Sequence, residues 1–198
     1  MVTQVSANNS VGVTDVHFYS ESIGGLLWYR AIAPKLSPSE KLPVLYLLHG
    51  INSGPIEIMQ HSAVGKLASI HRLIVILPEA EFSYYVNAKH RWHSRWEDAI
   101  TRELRADVEM RFPVQRGRQH TGIAGISMGG YGAVSLGLKH PDLYGFAGTV
   151  SGPFDITQRK ASLRRWGQTW RIWTIFGVRP SVRHDEDVFD LLRNSKSV

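Results

Sequence analysis

Gly122-Ile123-Ala124-Gly125-Ile126-Ser127-Met128-Gly129-Gly130-Tyr131-Gly132 is the stretch whose reading decides the fold. Gly122 to Ile126 is a short apolar run with the composition of a buried strand. It breaks at Ser127, and Gly129 to Lys139 then reads as a helix. Gly125-Ile126-Ser127-Met128-Gly129 fits G-x-S-x-G, the pattern of a nucleophilic serine on a sharp strand-to-helix turn. The spacing has a steric cause: so tight a turn leaves no room for a Cβ at the flanking positions. The Ser127 hydroxyl is then presented at the C-terminal edge of the sheet, beside the start of the next helix. The partial positive charge there favours the oxyanion that forms on attack. The alternative reading is a glycine-rich turn that only packs a helix on a sheet.

Outward from that turn the chain keeps alternating. Leu42 to Leu48 and Leu73 to Leu77 are continuous apolar runs, the mark of central strands buried on both faces. Ile56 to Ser69, between them, reads as a helix. Ser94-Arg95-Trp96-Glu97 matches the S-x-x-E capping box, and Trp96, Ile100, Leu104 and Val108 give one apolar face to a helix running to about Arg111. His140-Pro141-Asp142 stops the helix after Ser127, and Tyr144 to Val150 is another strand-like run. Ahead of all this, Val11 to Tyr19 and Gly25 to Ala33 read as an antiparallel pair. Strand and helix in alternation indicate one three-layer α/β domain over residues 1–198 with a mainly parallel sheet. Ligand sites in such sheets lie at the C-terminal strand ends. Those ends carry His49-Gly50-Ile51, the loop after Leu77, Ser127 and Ser151-Gly152.

Composition narrows the chemistry. With 43% hydrophobic and 20% charged residues the chain is an ordinary globular one, and it has no cysteine. Disulfides, a thiol nucleophile and thiolate metal sites are thereby excluded. The net charge of +6 is mostly scattered, so no nucleic-acid partner is expected. The polar start, Met1 to Ser10, lacks the basic and apolar regions of a signal peptide, so a cytoplasmic location is expected. His90-Arg91-Trp92-His93 has H-x-x-H spacing but no third ligand signal nearby, so surface histidines are expected and no metal.

Val44 to Gly50, Leu77-Pro78 with Ser83-Tyr84-Tyr85, Ala124 to Ala133, His140-Pro141 and Ser151-Gly152 together resemble the putative-esterase family of α/β-hydrolases. That family holds tributyrin esterases, feruloyl esterases, S-formylglutathione hydrolases and mycolyltransferases; the tributyrin-esterase branch is the most similar. The loop after Gly50 lacks the cysteine pattern associated with S-formylglutathione hydrolases. The resemblance implies that Ser127 is the nucleophile and that the N–H groups of Ile51 and Met128 form the oxyanion hole. It implies a serine carboxylesterase for short-chain acyl or aryl esters, with no cofactor. Acyl transfer to another acceptor is the alternative within the family. His49 is expected to order its loop, and Phe82 to Asn87 either to line the substrate cleft or to pack over the core.

The family orders its triad as Ser, then Asp or Glu, then His. The family's acid follows the strand after the one ending at Val150; beyond Val150 there is no apolar strand followed by Gly-x-x-Asp, and no Gly-x-His near a C-terminal aromatic. Relative to the family, the last strands with the triad acid and histidine are expected to be missing, so a catalytically impaired relative is the reading from another class. One substitute is His184 with Asp187, if Arg171 to Phe176 formed a local strand that brought His184 to Ser127. His90, His93 and His140 are worse placed. The strand ending at Val150 would then become the sheet edge. That edge is expected to pair with a second copy, to be covered by the C-terminal segment, or to leave the fold poorly stable. In Arg159 to Arg171, Leu163, Trp166, Trp170 and Trp173 could share one helix face, with Arg164, Arg165, Gln168 and Arg171 mostly on the other. A substrate cover, a packed amphipathic helix and, less favoured, a membrane-surface contact stay open for it.

Overall fold

The computed structural model describes residues 2–5, 11–158, 166–177 and 183–195. Strands β1 (Val2–Val5), β2 (Val11–Ser20), β3 (Gly25–Pro34) and β4 (Val44–Leu48) open the chain. Helices α1 (Pro55–His61) and α2 (Val64–Ile70) lead to β5 (Ile74–Pro78). A continuous helical stretch follows: α3 (Trp96–Asp98), a π-helical segment (Ala99–Leu104) and α4 (Arg105–Arg111). Then come β6 (Thr121–Ile126), α5 (Met128–Lys139), β7 (Phe146–Val150), α6 (Trp166–Phe176) and α7 (Val188–Asn194).

The seven strands form one sheet in the order β1-β2-β3-β5-β4-β6-β7. β5, β4, β6 and β7 make a parallel block, and β1, β2 and β3 extend it by antiparallel pairing. The sheet is therefore mixed, half parallel and half antiparallel by pairing, where the sequence suggested a mainly parallel one. β1 was not legible in the polar N-terminus.

Alternation along the central strands makes the three layers. Val44, Tyr46 and Leu48 of β4 and Ile74 and Ile76 of β5 face the core shared with Ile100, Leu104, Val108 and Leu136. Leu45, Leu47, Val75 and Leu77 point the other way, onto Ile58, Val64 and Ala68 of α1 and α2. This is the period of two that a strand imposes. Where one helix was expected over Ile56 to Ser69, Ser62 interrupts the helix at an extended φ of −138°.

The helix over 96–111 buries Trp96, Ile100, Leu104 and Val108, as their spacing predicts. Residues four apart drift by about 40° per step on an ideal α-helix. The wider π turns over Ala99–Leu104 offset that drift and keep the four on one face. Asp107 anchors the same helix to β3 by accepting a 2.6 Å hydrogen bond from the Tyr29 hydroxyl. The capping box expected at its start does not form. The buried Ser94 hydroxyl has no hydrogen-bond partner, and Glu97 turns to Lys139 and His140 instead. These opposite charges offer Glu97 more than a backbone N–H does.

Arg171 to Phe176 is helical within α6, not a strand. That helix buries Thr169, Ile175 and Phe176, and of the aromatic face read from the sequence it leaves Trp170 exposed and Trp173 half-buried. Residues 159–165 of that basic segment lie outside the described residues. No described helix is long and apolar enough to cross a membrane.

Candidate active site

The four parallel strands end on one edge, and their following loops hold most of the unusual backbone. Among the described residues eight non-glycine positions have positive φ, and seven lie in these loops, among them Asn52 after β4, Tyr84 and Tyr85 after β5, Ser127 after β6 and Ser151 after β7. Such conformations persist only where the surroundings impose them, and they cluster at functional sites.

Ser127 joins β6 to α5 with φ 55° and ψ −117°, outside even the left-handed helical well. Its N–H donates to the Val150 carbonyl at 2.8 Å, and its own carbonyl accepts the first α5 bond from Tyr131 at 3.0 Å. A Cβ on Gly125 would collide with the Gly129 carbonyl, and one on Gly129 with the Leu48 carbonyl. Both flanking glycines are thus demanded by contact, and the half-buried Ser127 side chain is left at the strand end.

Met128 opens α5, so its N–H is among the donors that a helix leaves without an internal acceptor. Gly50 lies against the serine: a Cβ built there would sit 3.3 Å from the Ser127 Cβ. Ile51 follows Gly50 in the turn after β4. Gly50, just ahead of Ile51, and Met128 therefore both adjoin Ser127.

His49 is buried with both ring nitrogens occupied. Its Nε2 accepts from the Ala80 N–H at 2.9 Å, and its Nδ1 lies 2.8 Å from the Gly50 carbonyl. Accepting at Nε2 fixes the proton on Nδ1, so the ring ties the β4 and β5 loops together and offers no free base. The Tyr85 hydroxyl donates to the His49 carbonyl at 3.1 Å, fixing the same junction. In the loop after β5, Ser83, Tyr84, Tyr85 and Val86 are buried, and Phe82 stands at the rim. The reading of that loop as packed over the core holds for Tyr84, Tyr85 and Val86, with Phe82 partly buried against the same cluster. Tyr84 meets Tyr131 and Phe176 edge-on, at centroid distances of 5.7 and 5.5 Å, a cluster that no local pattern announces.

The substitute dyad does not assemble. His184 is exposed and bonded through Nδ1 to Asp190 at 2.5 Å, not to Ser127. Asp187 caps α7, accepting from the N–H groups of Phe189 and Asp190, and accepts from the Thr157 hydroxyl at 2.7 Å. An N-terminal cap is the commonest use of an aspartate at that position. His140 pairs with Glu97 at 2.8 Å at the far end of α5. His90 and His93 line a surface cleft. Among the described residues no histidine is hydrogen-bonded to the Ser127 hydroxyl, and no group of three or more His, Asp or Glu could hold a metal ion.

The strongest buried electrostatics lie away from Ser127. Lys139 bridges Glu97 at 2.5 Å and Glu186 at 3.0 Å, and Arg183 reaches Glu186 at 2.8 Å. Burial pushes the Glu186 carboxyl up to about 7, against the pull of Lys139. The second oxygen of that carboxyl has no hydrogen-bond partner, which agrees with the direction.

The family model for putative esterases matches residues 20–190. This chain belongs to the putative-esterase family. An acetyl esterase of Caldicellulosiruptor saccharolyticus is 29% identical over 139 residues, which are 66% of this chain and 52% of the relative. The chain thus spans about half the length of that curated relative. A fluorophosphonate-binding serine hydrolase of Staphylococcus aureus superposes with a TM-score of 0.78 at 26% identity, covering 93% of this chain and 73% of the other. An S-formylglutathione hydrolase of Agrobacterium tumefaciens gives 0.84 at 18% identity, covering 98% and 75%. That second likeness shows the shared α/β-hydrolase fold alone. In this chain the tight Ser127 turn, its glycine flanks and the His49-Gly50 turn adjoin one another at the strand ends.

Proposed function

We propose that this chain carries the nucleophile of a serine carboxylesterase acting on short-chain acyl or aryl esters. The observation that carries the reading is the backbone of Ser127, forced to φ 55° and ψ −117° between glycines that contact alone requires. In this reading the Ser127 oxygen attacks the ester carbonyl, and the Ile51 and Met128 N–H groups take up the charge on the tetrahedral oxygen. The alcohol departs with a proton, leaving an acyl group on Ser127, and water then releases the acid. Removing one oxyanion donor from such a site typically costs about 100- to 1,000-fold in rate. The chemistry calls for no cofactor, and neither a nucleic acid nor a membrane enters it.

A second reading has its own support. His49, His140 and His184 are each engaged by other groups, so none offers Ser127 a ready base. A hydrolase fold with an impaired centre would retain binding and the oxyanion hole but turn over slowly. Hydrolysis of p-nitrophenyl acetate and butyrate, with Ser127→Ala beside the parent chain, separates the two. The esterase reading expects turnover that falls at least about 100-fold in the variant. Equal, slow rates in both proteins favour the impaired centre.

We also propose self-association through β7, the outermost strand of the parallel block. Among the described residues nothing pairs with its outer side, and Phe146 and Val150 are 60% and 61% exposed. Parallel strands are ordinarily covered on both faces, and a bare apolar edge is a template for another strand.

A further inference from the structure

Two surface clefts open beside the loop after β5. One, of about 680 Å³, is lined by Lys89, His90, Arg91, Trp92 and His93. The other, of about 510 Å³, lies between that loop and α6, against Phe82, Arg91, Trp170 and Arg171. Arg91 lines both, so they meet at its side chain. The second cleft is tied through packed rings to α5, the helix that Ser127 opens. Phe82 meets Tyr84 edge-on at 5.4 Å, Tyr84 meets Tyr131 at 5.7 Å, and Tyr131 is one helical turn beyond Ser127.

The charge along these walls is positive and little neutralised. Arg95 is held by Asp98 at 2.5 Å. Arg91 approaches Glu81 only at 3.9 Å with both side chains exposed, a pairing worth little in water. Arg171 lies 5.0 Å over the Phe82 ring, and neither it nor Lys89 has a carboxylate partner among the described residues. Glu21 and Glu81 are the acids that line the clefts, against Lys89, Arg91, Arg95 and Arg171. Two tryptophans stand open beside these cations, Trp92 89% and Trp170 58% exposed. Besides Glu81, Arg91 has a 3.4 Å hydrogen bond to the Phe82 carbonyl, and such weakly held cations beside open aromatic faces fit a ligand with an apolar body and an anionic end.

We propose that the ester handled at Ser127 carries an oxyanion, a carboxylate or a phosphate, on its part remote from the scissile bond, and that Arg91 at the meeting of the two clefts receives it. This rests on the esterase reading above. Arg91 is a binding residue here, and its planar fork suits either anion by paired hydrogen bonds. The nucleophile selects ester chemistry; the clefts select charge.

The test compares p-nitrophenyl monosuberate, and its counterpart ending in a phosphate, with neutral p-nitrophenyl octanoate. The expected kcat/KM ratio of anionic to neutral ester is about tenfold or more at low salt. It falls toward one in Arg91→Gln and at 0.5 M salt, and returns in part in Arg91→Lys. Preference for one anion over the other identifies the natural end group. A parent ratio near or below one, or a ratio that Arg91→Gln leaves unchanged, overturns the inference while the esterase reading stands. If no ester is turned over, the esterase reading fails by itself, and suberate binding to Ser127→Ala, followed by tryptophan fluorescence, decides the anion site. Binding weakened about tenfold by Arg91→Gln supports that site; undetectable binding removes it.

Discussion

Gly129 is packed so closely on the Leu48 carbonyl that one methyl group must push α5 away from β4. Gly129→Ala is therefore expected to cost about 1–3 kcal/mol in urea denaturation, the range for overpacking a tight site. An unchanged midpoint would contradict the steric account of the Ser127 turn. The charge state of Glu186 is coupled to folding. Burial raises its carboxyl to about 7 in the folded protein, while the unfolded chain releases the proton near the ordinary value of 4.5. The folded state thus holds the extra proton between those values, so this stabilisation is complete below about 4.5 and is lost as pH rises through about 7. Urea midpoints measured from pH 4 to 8 should show that decline in the parent and a flatter profile in Glu186→Gln. Identical profiles would contradict it. The serine and its glycines were legible because a local pattern encodes them. Glu186 was not, because Lys139, which it shares with Glu97, is distant in the chain and meets it only through packing.

The helix over 96–111 shows where local signals mislead. Its apolar spacing foretold the buried face, but its S-x-x-E start did not become a capping box. Ser94→Ala should therefore leave thermal stability unchanged or raise it, because the buried hydroxyl has no partner to lose. A working cap would instead lose about 1 kcal/mol on the same change. Leu104→Ala, on the buried face, is expected to cost about 2–5 kcal/mol by the same measurement. In α6 the sequence Arg171-Ile172-Trp173-Thr174-Ile175-Phe176 has the β-branched and aromatic content of a strand, yet it forms a helix whose end buries Ile175 and Phe176. Short apolar segments do not distinguish the two structures by composition, and tertiary contact decides. That difference removed the only route by which His184 was expected to reach Ser127.

The single edge shared by the four loops follows from alternating strands and helices and was legible; the order β5-β4-β6-β7 was not, because alternation does not say which strands become neighbours. The antiparallel extension was only half legible, because β1 sits in a polar segment with no alternation to mark it. The bare flank of β7 has a consequence for the molecule in solution. Sedimentation should give a mass that rises above 22.3 kDa with concentration, and Phe146→Lys, a charge on the open strand, should reduce the rise. A constant monomer mass would contradict pairing through that edge. The central claim, that this fold holds Ser127 as an activated nucleophile, is tested most directly by covalent labelling. The chain and Ser127→Ala would be treated with a fluorophosphonate probe and the adduct located by peptide mass. The account predicts one adduct, on Ser127, absent from the variant; an unlabelled parent chain, or equal labelling of both proteins, would contradict it.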